Sequence, residues 1–421
     1  MSRSVLLVAQ LTPPSNLVAA RRVAGMTKYL GRLGYAVTVL TSLASGTGPI
    51  DGAEEVVRTH DALLSRINWR RRHFSALAGS RGNGAYKPPS RLASVVVPDL
   101  GLLTWLPFAL PRALALARRR RFDCVVTTSP PQSAHLVGLA LRRRGLPWIA
   151  EFRDGWTFEP PRDPWPLRSQ RALDGRLERL VVEHADAVVG VTTPIVADFK
   201  ARLGVESELI TNGFDPDEGS SERETDPLLA SDRHSFVHTG RMGLSRVTPR
   251  PLLEALRVLK REEPEVSNRL EVVFAGSLTE EEQGLLAARD LDGTVQVAGW
   301  VERPRALRLQ RAADSLLLLT EGSSRRSVAT GKLFEYLLAG RPVLVLGEET
   351  EAARIVAETG TGLATSAVDP QAIAEALKRL VEGKWSRDAD DDAIDRYSWT
   401  SLGNRYAELI ERVCGGREPT E

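Results

Sequence analysis

The chain alternates short apolar runs with stretches in which apolar residues recur at helical spacing. Residues 5–10 (VLLVAQ) predict a buried strand, the stretch after them predicts a helix that ends at Gly34, and residues 36–41 (AVTVLT) predict a second strand. This order is that of a βαβ unit, in which the two strands run parallel.

The same alternation continues to the end of the chain. In the first half, further strands are predicted at residues 122–129, 146–154 and 185–193, with helices at about 134–144 and 168–184. In the second half, strands are predicted at 235–240, 270–276, 295–300, 315–320, 342–347 and 362–366, with helices at 251–262, near 279–290 and between 330 and 340. These runs show no in/out alternation, so both faces of each sheet should be covered by helices. The pattern predicts an α/β fold of two doubly wound, Rossmann-like domains that face each other across a cleft.

The length of 421 residues also favours two domains, because a single core seldom organises so long a chain. Residues 213–234 are rich in Gly, Pro, Ser and acidic residues and lack a hydrophobic period, which is the composition of a linker. We therefore predict an N-terminal domain over residues 1–212, a linker over 213–234, a C-terminal domain over 235–395 and a last helical segment over 396–421.

Composition excludes several classes of protein. A hydrophobic content of 42% with 26% charged residues indicates neither a disordered chain nor a membrane bundle. The sequence has two cysteines, Cys124 and Cys414, and so offers no disulfide framework and no CxxC metal site, which fits a reducing cytoplasm. The first apolar run is too short for a signal peptide or a membrane span, and we expect it to form a strand.

The net charge of +2 hides an asymmetry between the two halves. Residues 1–212 carry a net charge of +12, and residues 213–421 carry −10. The excess of arginine in the first half favours an anionic partner, although solvated arginine-rich faces explain it equally well.

The stretch TGKLFEYLLAGRPVLVLG (residues 330–347) combines a helix start, a helix, a glycine stop and a buried strand. Ligands of doubly wound sheets bind beyond the carboxyl ends of the strands, where helix N-termini attract anions. Thr330 is a candidate cap, Gly331 permits close approach of a backbone, and Lys332 supplies a positive charge. Such a turn suits a diphosphate, and Glu335, one turn later, suits two vicinal ribose hydroxyls. The alternative is that Glu335 only complements the helix dipole.

Several motifs resemble those of the retaining family 4 (group 1) glycosyltransferases of the GT-B fold, particularly the bacterial members that build surface polysaccharides. The stretch at 330–347 resembles their donor-site motif, and residues 129–156 (SPPQSAHLVGLALRRRGLPWIAEFRDGW) resemble a segment between two N-domain strands. ITNGFDP (210–216) resembles their interdomain crossover, and FVHTGRM (236–242) resembles the first strand and loop of their C-domain. YSWTSLGNRYAELIERV (397–413) resembles the helix that returns to the N-domain in such enzymes.

The resemblance implies roles for several residues of the C-terminal half. It implies that Glu335 binds ribose and that Gly331, Lys332 and Leu333 form a turn facing the diphosphate. It also implies that Arg241, which follows Gly240 after a predicted strand, contacts phosphate. Trp300 and Val301 stand where family members hold the nucleobase through backbone contacts, with core packing as the alternative for Trp300.

The sequence departs from the family pattern at three places. The usual pair of glutamates eight residues apart would require an acid at position 327, where this chain has Ser327. Arg246 stands near the place of a lysine found in many members, and we take it as the substitute. The first loop lacks the paired glycine and instead has Ser15 and Asn16, whose side chains can cap the following helix while the loop faces the donor.

Candidate residues of the N-terminal half follow predicted strands. Arg153 and Asp154 come directly after one strand, and together with Arg241 they are the predicted catalytic residues. Asp154 is a candidate to orient the acceptor hydroxyl or the donor sugar, and the alternative is a turn-capping carboxylate paired with Arg153. His135 is a further acceptor-side candidate, although a histidine at a helix start is often only a cap-region residue.

The resemblance implies a hexosyltransferase-type enzyme (EC 2.4). It would move a sugar, with retention, from a nucleoside-diphosphate sugar to a lipid-linked or glycan acceptor in surface-polysaccharide synthesis. Stabilisation of the leaving diphosphate does most of the work in such a transfer, so we expect no cofactor, no metal and no nucleic-acid partner. The alternatives are glycosylation of a soluble natural product, a sugar-nucleotide 2-epimerase, and a non-catalytic sugar-nucleotide-binding protein.

Two stretches of the N-terminal half mix aromatic residues with arginine runs, at 68–74 and 102–123. Such stretches are attracted to anionic headgroups, so we predict a cytoplasmic protein that binds peripherally to the membrane. The alternative for 102–117 is a buried helix whose arginines complement the dipole of its C-terminus. In that case Arg70, Arg71 and Arg72 are the better membrane candidates.

Overall fold

The structure, a computed structural model, describes residues 3–15, 18–62, 95–160, 163–219, 222–242, 247–287, 289–320, 325–385 and 387–415. The chain divides into two compact units. Unit 1 contains the chain up to Gly213 together with the segment from Trp399 onwards, and unit 2 contains Phe214–Ser398. The last helix thus belongs to unit 1, and the linker-like stretch from Phe214 onwards belongs to unit 2.

Unit 1 is built on a seven-stranded parallel sheet of order β3-β2-β1-β4-β5-β6-β7. Its strands are β1 (Ser4–Val8), β2 (Ala36–Ser42), β3 (Ala53–Thr59), β4 (Cys124–Ser129), β5 (Trp148–Phe152), β6 (Ala187–Gly190) and β7 (Glu208–Leu209). The helices in its described part are α1 (Val18–Arg32), α2 (Gly101–Thr104), α3 (Leu106–Arg119), α4 (His135–Arg142), α5 (Arg168–His184), α6 (Thr193–Asp198) and, at the end of the chain, α15 (Trp399–Cys414).

Unit 2 is built on a six-stranded parallel sheet of order β10-β9-β8-β11-β12-β13. Its strands are β8 (His234–Thr239), β9 (Leu270–Ala275), β10 (Val295–Gly299), β11 (Ser315–Leu319), β12 (Val343–Leu346) and β13 (Gly362–Thr365). The helices in its described part are α7 (Arg250–Glu262), α8 (Pro264–Asn268), α9 (Glu280–Leu286), α10 (Arg303–Ala312), α11 (Gly331–Ala339), α12 (Glu351–Glu358), α13 (Pro370–Val381) and α14 (Asp391–Asp395).

Each sheet is buried on both faces, as the apolar runs predict. In β1 every residue is buried, and because side chains alternate along a strand, Leu6 and Val8 enter one hydrophobic cluster while Val5 and Leu7 enter another. The prediction of two doubly wound parallel α/β domains is confirmed.

Helix ends follow the predicted glycine stops. Gly34 (φ 86°) donates its amide to the carbonyl of Gly31 just after α1, and Gly340 (φ 69°) donates to that of Leu337 after α11. Both glycines adopt the left-handed conformation that ends helices. The helix predicted near 279–290 is shorter, because α9 ends at Leu286.

The two ends of unit 2 lie side by side. The amide of Phe214 donates to the carbonyl of Tyr397 at 3.0 Å, and Phe214 pairs with Ser398 in an isolated parallel bridge. Unit 2 is therefore closed by its own first and last residues.

Candidate functional site

The sheet of unit 2 reverses its strand order between β8 and β11. From β8 the chain continues to β9 and β10 on one side, and it then returns to β11, β12 and β13 on the other. Connections that leave the carboxyl ends of two such strands diverge and open a crevice, where doubly wound sheets bind ligands. Gly240 and Arg241 follow β8 directly, and α11 begins in the connection after β11. The predicted donor residues thus come from the two connections that border this crevice.

The first turn of α11 is anchored through its backbone. Thr330 has the extended conformation of an N-cap residue (φ −67°, ψ 150°), but its hydroxyl makes no capping hydrogen bond, so the predicted side-chain cap is wrong. The amide of Leu333, which such a cap would engage, donates instead to the carbonyl of Thr330 at 3.1 Å. The Leu333 side chain is fully buried. Gly331 and Lys332 are left with first-turn amides that have no acceptor within the helix.

Lys332 reaches back from α11 to the connection after β8. Its ammonium group donates to the carbonyl of Arg241. Burial lowers the pKa of Lys332 to about 8, an effect partly offset by Glu282. The Arg241 side chain is exposed and forms no ion pair with any described residue. Two cationic groups therefore lie at this turn. Lys332 is held by a hydrogen bond, and the side chain of Arg241 is exposed to solvent.

Gly240 is required by both its conformation and its surroundings. Its φ of +80° lies in the left-handed region, and a Cβ atom there would lie 3.1 Å from Cε of Lys332. Gly383, just after α13, has a similar φ of +66° but open space around the position of its Cβ. Substituting alanine at both positions therefore distinguishes the free-energy cost of the left-handed backbone, which they share, from that of the contact with Lys332, which only Gly240 has.

We expect Gly240→Ala to lower thermal stability more than Gly383→Ala. Both substitutions impose left-handed backbone on alanine, which costs about 1–2 kcal/mol, but only the first also crowds Cε of Lys332, which must shift to relieve the contact. Differential scanning calorimetry of the two variants measures the difference. Equal losses would mean that the contact with Lys332 contributes nothing.

His238 lies beneath the same connection and is fully buried. Its Nδ1 lies 3.0 Å from the carbonyl oxygen of Leu317, and its Nε2 lies 3.4 Å from that of Arg241. Burial, together with the charge of Lys332, lowers the pKa of His238 to about 3, so the ring is neutral near pH 7. We assign it to the support of this connection rather than to proton transfer.

Glu335 lies in the second turn of α11 with 12% of its side chain exposed. Its Oε1 accepts from Nη1 of Arg303 at 2.7 Å, and its Oε2 accepts from Nε2 of Gln310 at 3.1 Å. Gln310 also donates to Oγ1 of Thr239, the last residue of β8, at 2.8 Å. A carboxylate oxygen has two lone pairs, so a single hydrogen bond from Arg303 or Gln310 does not by itself exclude a ligand hydroxyl. Specific partners fix this carboxylate, which a mere complement to the helix dipole would not need.

Sequence reasoning missed Arg303 and Gln310. They lie seven residues apart in α10, which is two helical turns, so both project from one face towards Glu335. The available signal was Gln310 itself, a polar residue between the buried Leu309 and Ala312. A buried amide requires partners, and here one of them is the carboxylate.

The remaining donor candidates have mixed outcomes. Trp300 follows β10 and exposes 70% of its side chain, so the core-packing alternative is wrong. Val301 packs partly against the core of unit 2. Ser327, at the position of the family's first glutamate, is buried. Arg246 lies outside the described residues.

In unit 1 the acceptor-side candidates also share one sheet edge. Ser15 lies in the connection after β1, His135 opens α4 after β4, and Arg153 and Asp154 follow β5. The sheet reverses its strand order between β1 and β4, so this is again the ligand edge of a doubly wound sheet. Ser15 and Asp154 are half-buried, and Asn16 lies outside the described residues.

Arg153 is held by the end of β4. Its Nη1 donates to Oγ1 of Thr128 at 3.1 Å, and its Nη2 donates to the carbonyl of Pro130 at 2.5 Å. Burial lowers the pKa of Arg153 to about 10, against the opposing charges of Glu151 and Asp154. The guanidinium is thus fixed and remains charged near pH 7.

His135 is a core residue of unit 1. It is fully buried, its Nδ1 lies 2.8 Å from Oγ1 of Thr127, and its ring lies 4.5 Å from that of Phe152. Burial, together with the charge of Arg153, lowers the pKa of His135 to about 3. The ring therefore lies in the core of unit 1 at the first residue of α4, and it is neutral near pH 7.

A buried polar network ties Arg153 to distant parts of unit 1. Thr128, which accepts from Arg153, donates to Oε1 of Glu151 at 2.6 Å. Glu151 also accepts from Nη2 of Arg22 at 3.0 Å and from the hydroxyl of Tyr406 in α15. Arg22 donates in turn to the carbonyls of residues 210 and 211, just before the chain leaves unit 1. The network thereby joins the candidate site to the segment just before the chain leaves unit 1 and to α15, the helix with which the chain returns.

We expect Tyr406→Phe to destabilise unit 1 by about 1–3 kcal/mol. The hydroxyl donates to a fully buried carboxylate and accepts from Arg22 at 2.8 Å, so its removal leaves buried groups with fewer partners. Tyr35→Phe is the matched control, because its hydroxyl bonds the more exposed Glu411. Urea unfolding followed by tryptophan fluorescence should show the larger loss for Tyr406→Phe, and the reverse order would contradict this role.

Within the described part of the chain, no group of three or more His, Cys, Asp or Glu side chains is arranged to hold a metal ion. No helix among these residues is long and apolar enough to cross a membrane.

Two family models match the chain in succession. Residues 19–213, almost all within unit 1, match the glycosyl transferase 4-like domain, and residues 233–383 of unit 2 match the glycosyl transferases group 1. The chain is a group 1 glycosyltransferase. No curated protein sequence matches this glycosyltransferase.

Solved structures resemble the glycosyltransferase over almost its full length. Sucrose-phosphate synthase from Thermosynechococcus elongatus matches with a TM-score of 0.68 and 16% identity, covering 99% of this chain and 100% of its own. Trehalose 6-phosphate synthase from Burkholderia multivorans gives a TM-score of 0.63, 13% identity and coverages of 98% and 99%. Anabaena HepE, solved with UDP-glucose, matches with a TM-score of 0.58 and 16% identity, covering 97% of this chain and 99% of its own. At such identities the likeness establishes the GT-B fold and not the substrates.

Proposed function

We propose that this glycosyltransferase transfers a hexosyl group, with retention, from a nucleoside-diphosphate sugar to an acceptor hydroxyl. The observation that carries the proposal is the fixed, partly exposed carboxylate of Glu335, one turn beyond the first amides of α11, which have no acceptor within the helix. A nucleoside diphosphate has anionic phosphates next to a ribose with two vicinal hydroxyls. The order of groups along α11 fits that ligand.

The leaving diphosphate gains negative charge as the bond to the sugar breaks. The first amides of α11 and the ammonium group of Lys332 would stabilise this charge where it develops, and Arg241 would approach from solvent. Stabilisation of this kind requires no protein nucleophile. Arg153 and Asp154, at the ligand edge of unit 1, are the residues that we propose contact the acceptor or the transferred sugar.

Incubation with UDP-glucose in the absence of acceptor tests the reaction. UDP-glucose is the first donor to try because it is bound in the Anabaena relative. We expect slow release of UDP and of glucose whose initial anomeric form, followed by NMR, is α. Initial β-glucose would contradict retention, and a panel of other nucleotide sugars would separate a wrong donor from an inactive site.

The affinity for a nucleoside diphosphate should fall as pH rises above 8. Lys332 has a pKa of about 8 and must be charged to hold a phosphate, so between pH 7.5 and 9.5 we expect a weakening of up to about 25-fold. Lys332→Met should bind weakly at both pH values. Isothermal titration calorimetry checks the dependence, and an equal slope in the variant would assign it to another group.

We further propose that the acceptor is lipid-linked and that the enzyme binds peripherally to anionic membranes. Residues 102–117 form α2 and most of α3, and the stretch is buried at Trp105 and Ala109 but exposes 59% of Leu103 and 42% of Phe108. The stretch is therefore only partly a core helix, and its exposed apolar residues support the proposal. Arg70, Arg71 and Arg72 lie outside the described residues.

Flotation with phosphatidylglycerol liposomes tests membrane binding. We expect salt-sensitive binding that weakens when Arg70, Arg71 and Arg72 are replaced by glutamate. The absence of binding even at low salt would favour a soluble acceptor, such as a natural-product aglycone.

A further inference from the structure

A cavity of about 490 Å³ opens at the amino ends of the strands of unit 1. It lies among the residues that precede β1, β4 and β5, whereas the acceptor-side candidates follow the carboxyl ends of the same strands. A strand of five residues is roughly 17 Å long, so the cavity and that edge are separated by about the length of the sheet. The cavity is therefore not part of the candidate site described above.

The floor of the cavity is apolar. Leu114 and Ala117 of α3, Leu141 of α4, and the nearby Phe122 and Leu146 line it. All five belong to or pack against one hydrophobic cluster of unit 1, and Leu114, Ala117 and Leu146 are only partly buried. Apolar surface thus remains exposed to solvent inside a concave site whose volume is typical of small-molecule pockets.

The rim of the cavity is cationic. Arg118, Arg121 and Arg144 line it, and all three are exposed and form no ion pair with any residue in the described ranges. The carboxylate at the rim, Asp123, accepts from the amide of Ser4 at 2.8 Å and lies 3.9 Å from Nη1 of Arg3, which also lines the cavity. The charge of Asp123 is thus paired with that of Arg3, and the charges of the three exposed arginines remain.

The positive charge of these three arginines is larger than the negative partial charge of the helix ends beside them. Helices α3, α4 and α15 all end near the cavity, and each helix C-terminus carries about half a negative charge. Three such ends offset about one and a half of the three arginine charges. The rim therefore keeps a net positive charge above an apolar floor. A neutral ligand would leave the arginine charges unpaired, and a simple anion would leave the apolar surface uncovered.

We propose that this cavity binds an anionic amphiphile, with a phosphate group at the arginine rim and an apolar chain against the floor. The phosphate can belong to a membrane lipid or to a soluble phosphorylated molecule with an apolar tail. The same guanidinium groups and the same floor recognise both. The inference depends on unit 1 alone and does not require the proposed donor site.

The test compares two double charge reversals in the full chain. Arg118→Glu/Arg144→Glu alters the rim, whereas Arg168→Glu/Arg176→Glu changes the net charge equally at exposed positions on α5. The probes are octyl phosphate below its micelle concentration, octyl glucoside with the same chain, inorganic phosphate, and vesicles with and without phosphatidylglycerol. Circular dichroism establishes that each variant is folded.

We expect octyl phosphate to bind the wild-type protein at least tenfold more tightly than octyl glucoside or inorganic phosphate. The rim variant should lose at least tenfold of that affinity, and the α5 variant should retain it. Loss of vesicle binding in the rim variant alone would identify a lipid as the source, and unchanged vesicle binding would identify a soluble amphiphile. Equal affinity for inorganic and octyl phosphate, equal losses in both variants, or no binding of octyl phosphate would overturn the proposal.

Discussion

Replacing Arg241 by alanine should lower kcat for sugar transfer by about 10²-fold while leaving the stability of the protein almost unchanged. Preorganised groups that face developing charge contribute effects of this size when one of them is removed. The Arg241 side chain is exposed and bonds no described residue, so its loss removes no packing and no ion pair that the structure describes. The Arg241 carbonyl, which Lys332 contacts, is retained in the variant.

Steady-state kinetics with a saturating donor, together with thermal unfolding, check this expectation. Arg379→Ala is the matched control, because Arg379 is an exposed arginine on α13 of the same unit. If the Arg241 variant keeps turnover within threefold of the control, the side chain has no role in the transition state. A parallel loss of stability would instead indicate a structural role.

Replacing Glu335 by alanine should weaken binding of a nucleoside diphosphate by roughly 100-fold or more. A hydrogen bond to a charged group contributes about 1.5–3 kcal/mol, and ribose offers two hydroxyls to this carboxylate. The variant should remain folded, because Arg303 keeps its ion pair with Glu218 and Gln310 keeps its bond to Thr239. The test is therefore one of binding rather than of folding.

Calorimetric titration with UDP and with 2′,3′-dideoxy-UDP distinguishes the ribose role from a general charge effect. The loss caused by Glu335→Ala should be large for UDP and small for the dideoxy compound. Glu375→Ala, an exposed acid on α13, controls for net charge. Equal losses for the two nucleotides would show that Glu335 does not bind ribose.

Patterns that depend on one segment were predictable from the sequence. Helix α5 has the predicted bounds of Arg168–His184, since its limits depend on local periodicity and on the strands around it. Strand β3 was not predicted, because Glu54 and Glu55 are exposed on this edge strand and interrupt its apolar pattern. Helix ends at Gly34 and Gly340 were predictable because a left-handed glycine acts locally.

Contacts between distant segments were not predictable in the same way. The Glu335 carboxylate could be singled out within its own motif, but its partners come from α10, about 25–32 residues earlier. His135 opens a helix, as its position suggests, yet the aromatic side chain of Phe152 from the next strand makes it a core residue. Burial and pairing of this kind arise from the packing of elements, which local sequence does not specify.

The adjacency of Phe214 and Ser398 has an evolutionary and practical consequence. A segment whose two ends meet can be removed or replaced without drawing apart the residues that flank it, and exchange of such segments is well tolerated. Residues 214–398 therefore have the arrangement of an inserted domain, and unit 1 is formed by the sequence before and after it. Genes of this design can acquire a new unit 2 by recombination at two junctions while unit 1 stays intact.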